Sequence, residues 1–277
     1  MVGIDKKIPQ EPESLSEIKA NWEEFARSDP LWSILPLPEK KGNRWSIDEL
    51  FKTGETEIDG VIDYLRAKKI RFNPEKVLDF GCGVGRLTQA FARHFEKSIG
   101  LDISAGMIEL ANRYNRFGTK CQYLVNTTND LKIFDRDTFD MIYSNIVFQH
   151  IPPVFTRAYL KEFLRVIKPQ GIIVFQVAVE EIPFAGTRLR NIMKNAVPKA
   201  LRRIYKKIKY GSWAIKDMYC MPQHELDGFI TANGGKIVDA VEDRSTMPRY
   251  RGLRYCVKRQ HSGEEGMQGC RDARKQG

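Results

Sequence analysis

The chain has 277 residues, 42% of them hydrophobic and 10% aromatic, which is enough to bury a core and too apolar for a disordered polymer. Its net charge of +10 speaks to solubility or an anionic partner and says nothing of fold. No run approaches the roughly 20 apolar residues that cross a bilayer, MVGIDKKIPQEPES lacks the apolar centre of a secretory signal, and Cys82, Cys121, Cys220, Cys256 and Cys270 contain no C-x-x-C pair, so neither a zinc site nor a disulfide framework is expected and a reducing cytoplasm is the simplest setting.

Residues 1–13 are polar, carry Pro and Gly, and read as a loose arm. Ser14-Leu-Ser-Glu17 has the form of a capping box, so a helix is expected from Ser14 to about Arg27. Ser46-Ile-Asp-Glu49 is a second box and opens a helix to about Lys68, with a break expected near Gly54. Together these make an N-terminal helical cap within residues 1–70. From Lys76 short apolar strands alternate with amphipathic helices. The strands are Lys76–Phe80, Lys97–Leu101, Cys121–Val125, Phe139–Ser144 and Gly171–Ala178; the helices are Arg86–His94, Ala105–Arg116 and Val154–Ile167. Alternation of this kind predicts an α/β fold, a mostly parallel sheet with helices on both faces. Lys168-Pro169-Gln170-Gly171 reads as a helix stop and turn. A helix over Pro222–Asn233 and strands Lys236–Val241 and Leu253–Lys258 complete a seven-stranded, doubly wound domain over residues 71–260, with a basic insertion at about 183–220 and a disordered tail at 261–277.

The sharpest chemical signal is Val77-Leu-Asp-Phe-Gly-Cys-Gly-Val-Gly-Arg-Leu-Thr88. A strand enters a loop carrying Gly81, Gly83 and Gly85, and a helix follows at once. Glycines let a backbone turn tightly and let a ligand approach it, and the helix start offers unpaired N–H groups. The spacing is G-x-G-x-G, which is neither the dinucleotide fingerprint nor a phosphate loop. Asp79 in the entry turn would repel a pyrophosphate and suits a cationic amino-acid ligand. Asp102, in Gly100-Leu-Asp-Ile-Ser104, ends the second strand, where an acidic side chain can accept hydrogen bonds from ribose hydroxyls. Capping of the next helix is the competing role there, and Ser104 suits it better.

These two segments resemble the first two motifs of the class I S-adenosylmethionine (SAM) dependent methyltransferases. Asp140-Met-Ile-Tyr-Ser-Asn-Ile-Val-Phe-Gln-His150 is similar to the fourth-strand segment of that family, and Leu164-Arg-Val-Ile-Lys-Pro-Gln-Gly171 to its strand-five turn, with Gln170 in place of a glycine. WEEFARSDPLW and ELFKTGE also resemble a bacterial subgroup whose acceptors are mostly undefined. The resemblance implies a Rossmann-like methyltransferase fold with SAM as cofactor. It implies that Gly81, Cys82, Gly83 and Gly85 hold the amino-acid and ribose end, that Asp79 receives the methionine ammonium and Asp102 the ribose, and that Ile103 packs on adenine, with Met107 nearby. Asn126, Thr127, Asp130 and Leu131 would meet the adenine edge, where many relatives carry an Asp that this chain lacks. Ser144 and Asn145 would face the methyl donor.

Methyl transfer to a hydroxyl needs alignment and removal of a proton. His150 is the general-base candidate, and its competing role is to cap or pack at the next helix. The Ser144-Asn-Ile-Val147 segment lacks the Asn/Asp-Pro-Pro-aromatic pattern of enzymes that methylate DNA bases, so no DNA substrate is expected. The acceptor expected is a small molecule or glycan, methylated at oxygen. Arg188 to Lys209 holds basic residues and no acidic one, with Leu201, Ile204, Tyr205 and Ile208 on one helical face. That stretch can pack on the core, lie peripherally on an anionic membrane, or cover an anionic substrate. Arg188, Arg190, Trp213 and Tyr219 are the acceptor-site candidates. Methylation of RNA or a membrane-bound lipid, and a SAM-binding module without catalysis, are the alternative readings.

Overall fold

A computed structural model describes residues 14–183, 201, 204, 217–245 and 249–260. Both capping boxes are formed. Ser14 Oγ accepts from the Glu17 N–H and opens α1 (Leu15–Ser28). Ser46 Oγ does the same for Glu49 at the start of α3 (Ile47–Ala67). Between them lies the short α2 (Pro30–Ile34), which Pro30 starts at no cost in hydrogen bonds. The break expected near Gly54 is absent: α3 is continuous over 21 residues. Gly54 answers a packing need instead, since a Cβ there would sit 2.6 Å from the Arg86 carbonyl oxygen.

The sheet has the order β3-β2-β1-β4-β5-β7-β6. Its strands are β1 (Lys76–Phe80), β2 (Lys97–Asp102), β3 (Cys121–Val125), β4 (Phe139–Ser144), β5 (Ile167–Glu181), β6 (Gly235–Asp243) and β7 (Tyr250–Arg259). Only β7 runs against its neighbours β5 and β6. Helices α4 (Arg86–Phe91), α5 (Ala105–Tyr114) and α6 (Pro153–Val166) follow β1, β2 and β4, and α7 (Gln223–Ala232) precedes β6. The seven-stranded, mostly parallel, doubly wound α/β architecture expected from the sequence is the one observed. Lys168–Gln170 is not the expected turn outside the strand. β5 begins at Ile167, pairs with Phe139, and then shifts register before Met141 meets Ile172, so these residues form a bulge. A bulge tolerates Pro169, which has no N–H to give the ladder.

The core lies on both faces of the sheet. Phe80, Phe148, Phe163 and Phe175 pack on the α6–α7 side, and Val77, Phe91, Met141 and Val174 on the α3–α4 side. β1 is therefore apolar on both faces, as a central parallel strand must be. A third cluster ties the cap to the sheet: Phe25, Leu31, Trp45, Leu50 and Phe51 bury themselves against Val84 and Met107. The strand order reverses between β1 and β4, and in open α/β sheets ligands bind at the C-terminal ends of the strands flanking such a point. Among the described residues no helix is long and apolar enough to cross a membrane.

Candidate cofactor and acceptor cleft

An open cleft lies at that switch point. Its floor is the turn after β1 together with the ends of β2 and β3. Gly81 and Gly83 have φ of 77° and 53°, a conformation that strains any residue with a Cβ. A Cβ on Gly81 would also meet Val147 at 2.4 Å, and one on Gly83 would meet Ile34 of the cap at 2.7 Å. Asp102 is held between two backbone donors. Its Oδ2 accepts from the Gly83 N–H at 2.8 Å and its Oδ1 from the Ser104 N–H at 2.9 Å. Burial raises its pKa, while the N–H groups of Ser104, Gly83 and Ile103 pull it back down. A carboxylate has about four acceptor positions, so both oxygens keep capacity for a ligand's hydroxyls.

Cys82, Ile103, Asn126 and Asn145 join Gly81, Gly83 and Asp102 in lining the cleft. Asn126 lines it with a committed side chain: its Nδ2 donates to the Asp130 carbonyl at 2.8 Å and its Oδ1 accepts from the Thr128 hydroxyl at 2.9 Å. Several expected cofactor residues do not line it. Asp79 is 1% exposed beneath the turn, where its carboxylate accepts from the Thr88 hydroxyl at 2.6 Å. Burial raises the Asp79 pKa to about 7 against the pull of Thr88 and Arg86. Gly85 turns in the left-handed region to cap α4, above Tyr123. Met107 is buried in the cap cluster and Leu131 in the main core. Asp130 pairs with Lys132, Thr127 is exposed, and the Ser144 hydroxyl is buried, donating to the Phe80 carbonyl at 3.1 Å. For Asp79 and Ser144 the reason is strand geometry: β-strand neighbours face opposite ways, so a motif in sequence is split between cleft and core.

His150 lines the cleft and is 7% exposed. Its Nδ1 is 3.0 Å from the Asp217 carbonyl, which can only accept, so Nδ1 carries the proton. Its Nε2 is 3.2 Å from Gln149 Nε2, which donates to it. Gln149 Oε1 is buried without a partner. Exchange of the two ends of that amide would present Oε1 to a protonated Nε2, so the site can satisfy the ring in either state. The Trp22 ring stands edge-on to His150, centroids 6.0 Å apart. Of the acceptor-site candidates, Tyr219 is absent from the cleft lining and its N–H instead holds the Gln149 carbonyl at 2.8 Å. Arg188, Arg190 and Trp213 lie outside the described residues. Of the basic stretch, Leu201 and Ile204 are described; both are helical and exposed.

The sequence forecasts the helical cap but not that it roofs the cleft. Leu15, Ile18 and Trp22 of α1, with Ser33 and Ile34, close the cleft from the cap side. Arg86 also lines it, 4% exposed, with Nη2 2.8 Å from Glu57 Oε2 and Nη1 3.2 Å from the Thr53 hydroxyl. Glu57 Oε1 in turn accepts from Asn145 Nδ2 at 2.7 Å and from the Tyr143 hydroxyl at 3.0 Å. One signal could have revealed Glu57: it interrupts the apolar stripe Leu50, Gly54, Ile58, Val61 and Leu65 of α3. The turn after β4 is strained. Ile146, a β-branched residue, has φ of 59°, and its N–H is held by Gln176 Oε1 at 3.1 Å. Strain of this kind concentrates at functional sites.

A family model described as a methyltransferase domain matches residues 77–171. Among curated relatives, the demethylmenaquinone methyltransferase of Clavibacter sepedonicus is 25% identical over 58% of this chain and 65% of its own length. The malonyl-[acyl-carrier protein] O-methyltransferase of Yersinia pestis is 33% identical over 38% of this chain and 37% of its own. The chain thus spans less than two thirds of the length of these relatives. In fold it is similar to the magnesium protoporphyrin IX methyltransferase of Synechocystis PCC 6803, solved with bound S-adenosylhomocysteine (SAH): TM-score 0.61 and 15% identity over 90% of this chain and all of that one. Sheet order, glycine turn and domain match agree: residues 77–171 match a methyltransferase domain, on a sheet of the class I SAM-dependent methyltransferase fold.

Proposed function

We propose that the cleft binds SAM and that the chain transfers its methyl group to a hydroxyl of a small molecule with an apolar body. The observation that carries the reading is the Asp102 carboxylate, fixed by Gly83 and Ser104 on the floor of a cleft at the β1/β4 switch point. In this reading Asp102 accepts from the ribose hydroxyls and Ile103 packs on the adenine. Arg86 takes the methionine carboxylate, and the amino-acid end is held from there rather than by the buried Asp79. SAM supplies a methyl group already activated on a sulfonium. The protein's own task is then to align the acceptor, exclude water and take the acceptor proton. His150 takes that proton on Nε2, with Nδ1–H held by Asp217. Leu15, Ile18, Trp22, Ile34, Val147 and Ile151 give the cleft an apolar wall, which favours a lipophilic or aromatic acceptor over a glycan. Similarity to a demethylmenaquinone methyltransferase and to a ubiquinone biosynthesis O-methyltransferase supports the same class.

The test is calorimetric titration of wild type and Asp102→Ala with SAM and SAH. Micromolar binding by wild type that weakens by about a hundredfold in the variant is the expected result, the scale of two lost charge-assisted hydrogen bonds. No binding by wild type, or equal binding by both, overturns the reading.

A further inference from the structure

The N-terminus of α5 directly follows Asp102 and Ile103, and its four unpaired donors are satisfied in an unusual way. Ser104 N–H goes to Asp102 Oδ1 and Met107 N–H to Ser104 Oγ, both local. The other two go to Glu23, a residue of α1 about eighty positions earlier. Ala105 N–H donates to Glu23 Oε1 at 2.7 Å and Gly106 N–H to Glu23 Oε2 at 3.2 Å. A carboxylate at this end of a helix also meets the positive end of the helix dipole. The approach of α1 is close: a Cβ on Gly106 would lie 3.0 Å from both Ala26 Cβ and Glu23 Oε2.

The same helix that carries Glu23 carries the roof. Leu15, Ile18 and Trp22 recur at i, i+3 and i+7, one face of α1, and all three line the cleft. Phe25 anchors the C-terminal half of α1 in the buried cluster with Met107 of α5. α1 therefore covers the cleft with one face and grips the start of α5 with the next. Because Asp102 shares that helix start with Glu23, roof and floor are joined through a single cap.

We propose that Glu23 is a positioning residue of the cofactor site, a latch that holds α1 over the cleft and fixes the Asp102 turn, so that its release from the α5 N-terminus opens the cleft for cofactor exchange. The inference rests on the reading of the cleft as a SAM site. Loss of Glu23 leaves two backbone donors without protein partners and frees the roof. Both consequences act on the rate at which ligand leaves.

The experiment is stopped-flow fluorescence of SAH binding to the whole chain, with Trp22→Phe identifying the signal of the roof. Glu23→Ala and the milder Glu23→Gln are compared with Ser104→Ala, which removes a donor's partner in the same cap and leaves α1 untouched. The latch predicts that Glu23→Ala speeds SAH dissociation about tenfold or more, without slowing association, while Ser104→Ala has a smaller effect. Glu23→Gln, which keeps one accepting oxygen, falls between. Dissociation unchanged in both Glu23 variants, or accelerated equally by Ser104→Ala, overturns the latch while leaving the cofactor reading intact. A wild-type chain that does not bind SAH overturns that reading, and the latch with it.

Discussion

The floor and the roof of the cleft are built on opposite principles. The floor is compact: Gly81, Gly83 and Asp102 lie at the ends of adjacent parallel strands, where the Asp102 carboxylate accepts from the backbone N–H groups of Gly83 and Ser104. The roof is distant: Glu23, Glu57 and Trp22 come from the helical cap and reach the site through side chains. In the proposed reading the floor holds the nucleoside. The roof adds charge and enclosure, and it is where this chain can differ from others with the same sheet.

The largest effect is expected where the two meet, at His150. His150→Ala should lower methyl transfer to a responsive phenolic or acyl acceptor by about 10²- to 10⁴-fold, the usual worth of general acid–base help, with SAM affinity within about twofold of wild type. A loss of SAM binding instead would make His150 part of the floor. Gln149→Leu is the finer test. It removes the amide that can accept from the protonated ring, so the pH at which activity rises should move down.

A large effect is also expected below the floor. The Asp79 pKa is about 7 in the folded chain against an ordinary 3.8, and the raised value makes its ionisation unfavourable to folding. Below pH 4 the carboxyl is neutral in both states. Between about 4 and 7 the folded state holds the proton that the unfolded state has lost, so stability falls as pH rises through that window. The whole decline across it amounts to at most about 4 kcal/mol. Asp79→Asn keeps an acceptor for Thr88 and should flatten the decline, giving a variant more stable than wild type at pH 8 in chemical denaturation. An unchanged pH profile would place Asp79 in contact with solvent or cation.

Arg86 separates floor from roof by ligand. Arg86→Met should weaken SAM and SAH binding by about thirtyfold, the scale of one charged hydrogen bond of about 2 kcal/mol. Binding of 5′-methylthioadenosine, which has no amino-acid end, should not change. Because the substitution strands Glu57, the double variant Arg86→Met/Glu57→Gln is the control for stability. Equal weakening of all three ligands would make Arg86 a structural residue of α4.

What could be read from the sequence follows the same division. Both capping boxes, the strands β1, β3 and β4 and the doubly wound order are products of short-range pattern, and they match the structure closely. The glycine turn and Asp102 stand out in the sequence because each ends a strand on its own short motif, and parallel pairing of β1 with β2 brings the two motifs together. The burial of Asp79 was not legible: adjacent strand residues alternate faces, so its neighbour in sequence is not its neighbour in the cleft. Gly54 misled because a glycine that admits the Arg86 carbonyl looks, in one dimension, like a helix breaker. The role of Glu23 was not legible: its partners, the Ala105 and Gly106 N–H groups, lie about eighty positions away and meet it only once α5 is folded against α1.

The smallest expected effect concerns Ile146, where floor and roof share a strained turn. Its φ of 59° costs a β-branched residue about 1–2 kcal/mol, held in place by Gln176 from β5 and, through Asn145, by Glu57 from the cap. Ile146→Asn tolerates the left-handed conformation and relieves most of that strain, but it gives up a partly buried aliphatic side chain in the cleft wall. The two terms oppose each other, so thermal stability should change by less than about 1 kcal/mol. Function should respond more than stability does. If the strain serves only to aim the Asn145 side chain, SAH affinity stays within about threefold and acceptor turnover is retained. If Ile146 itself is part of the apolar wall, SAH affinity is kept while the KM for a lipophilic acceptor rises. The split between those two constants assigns this turn to the floor or to the roof.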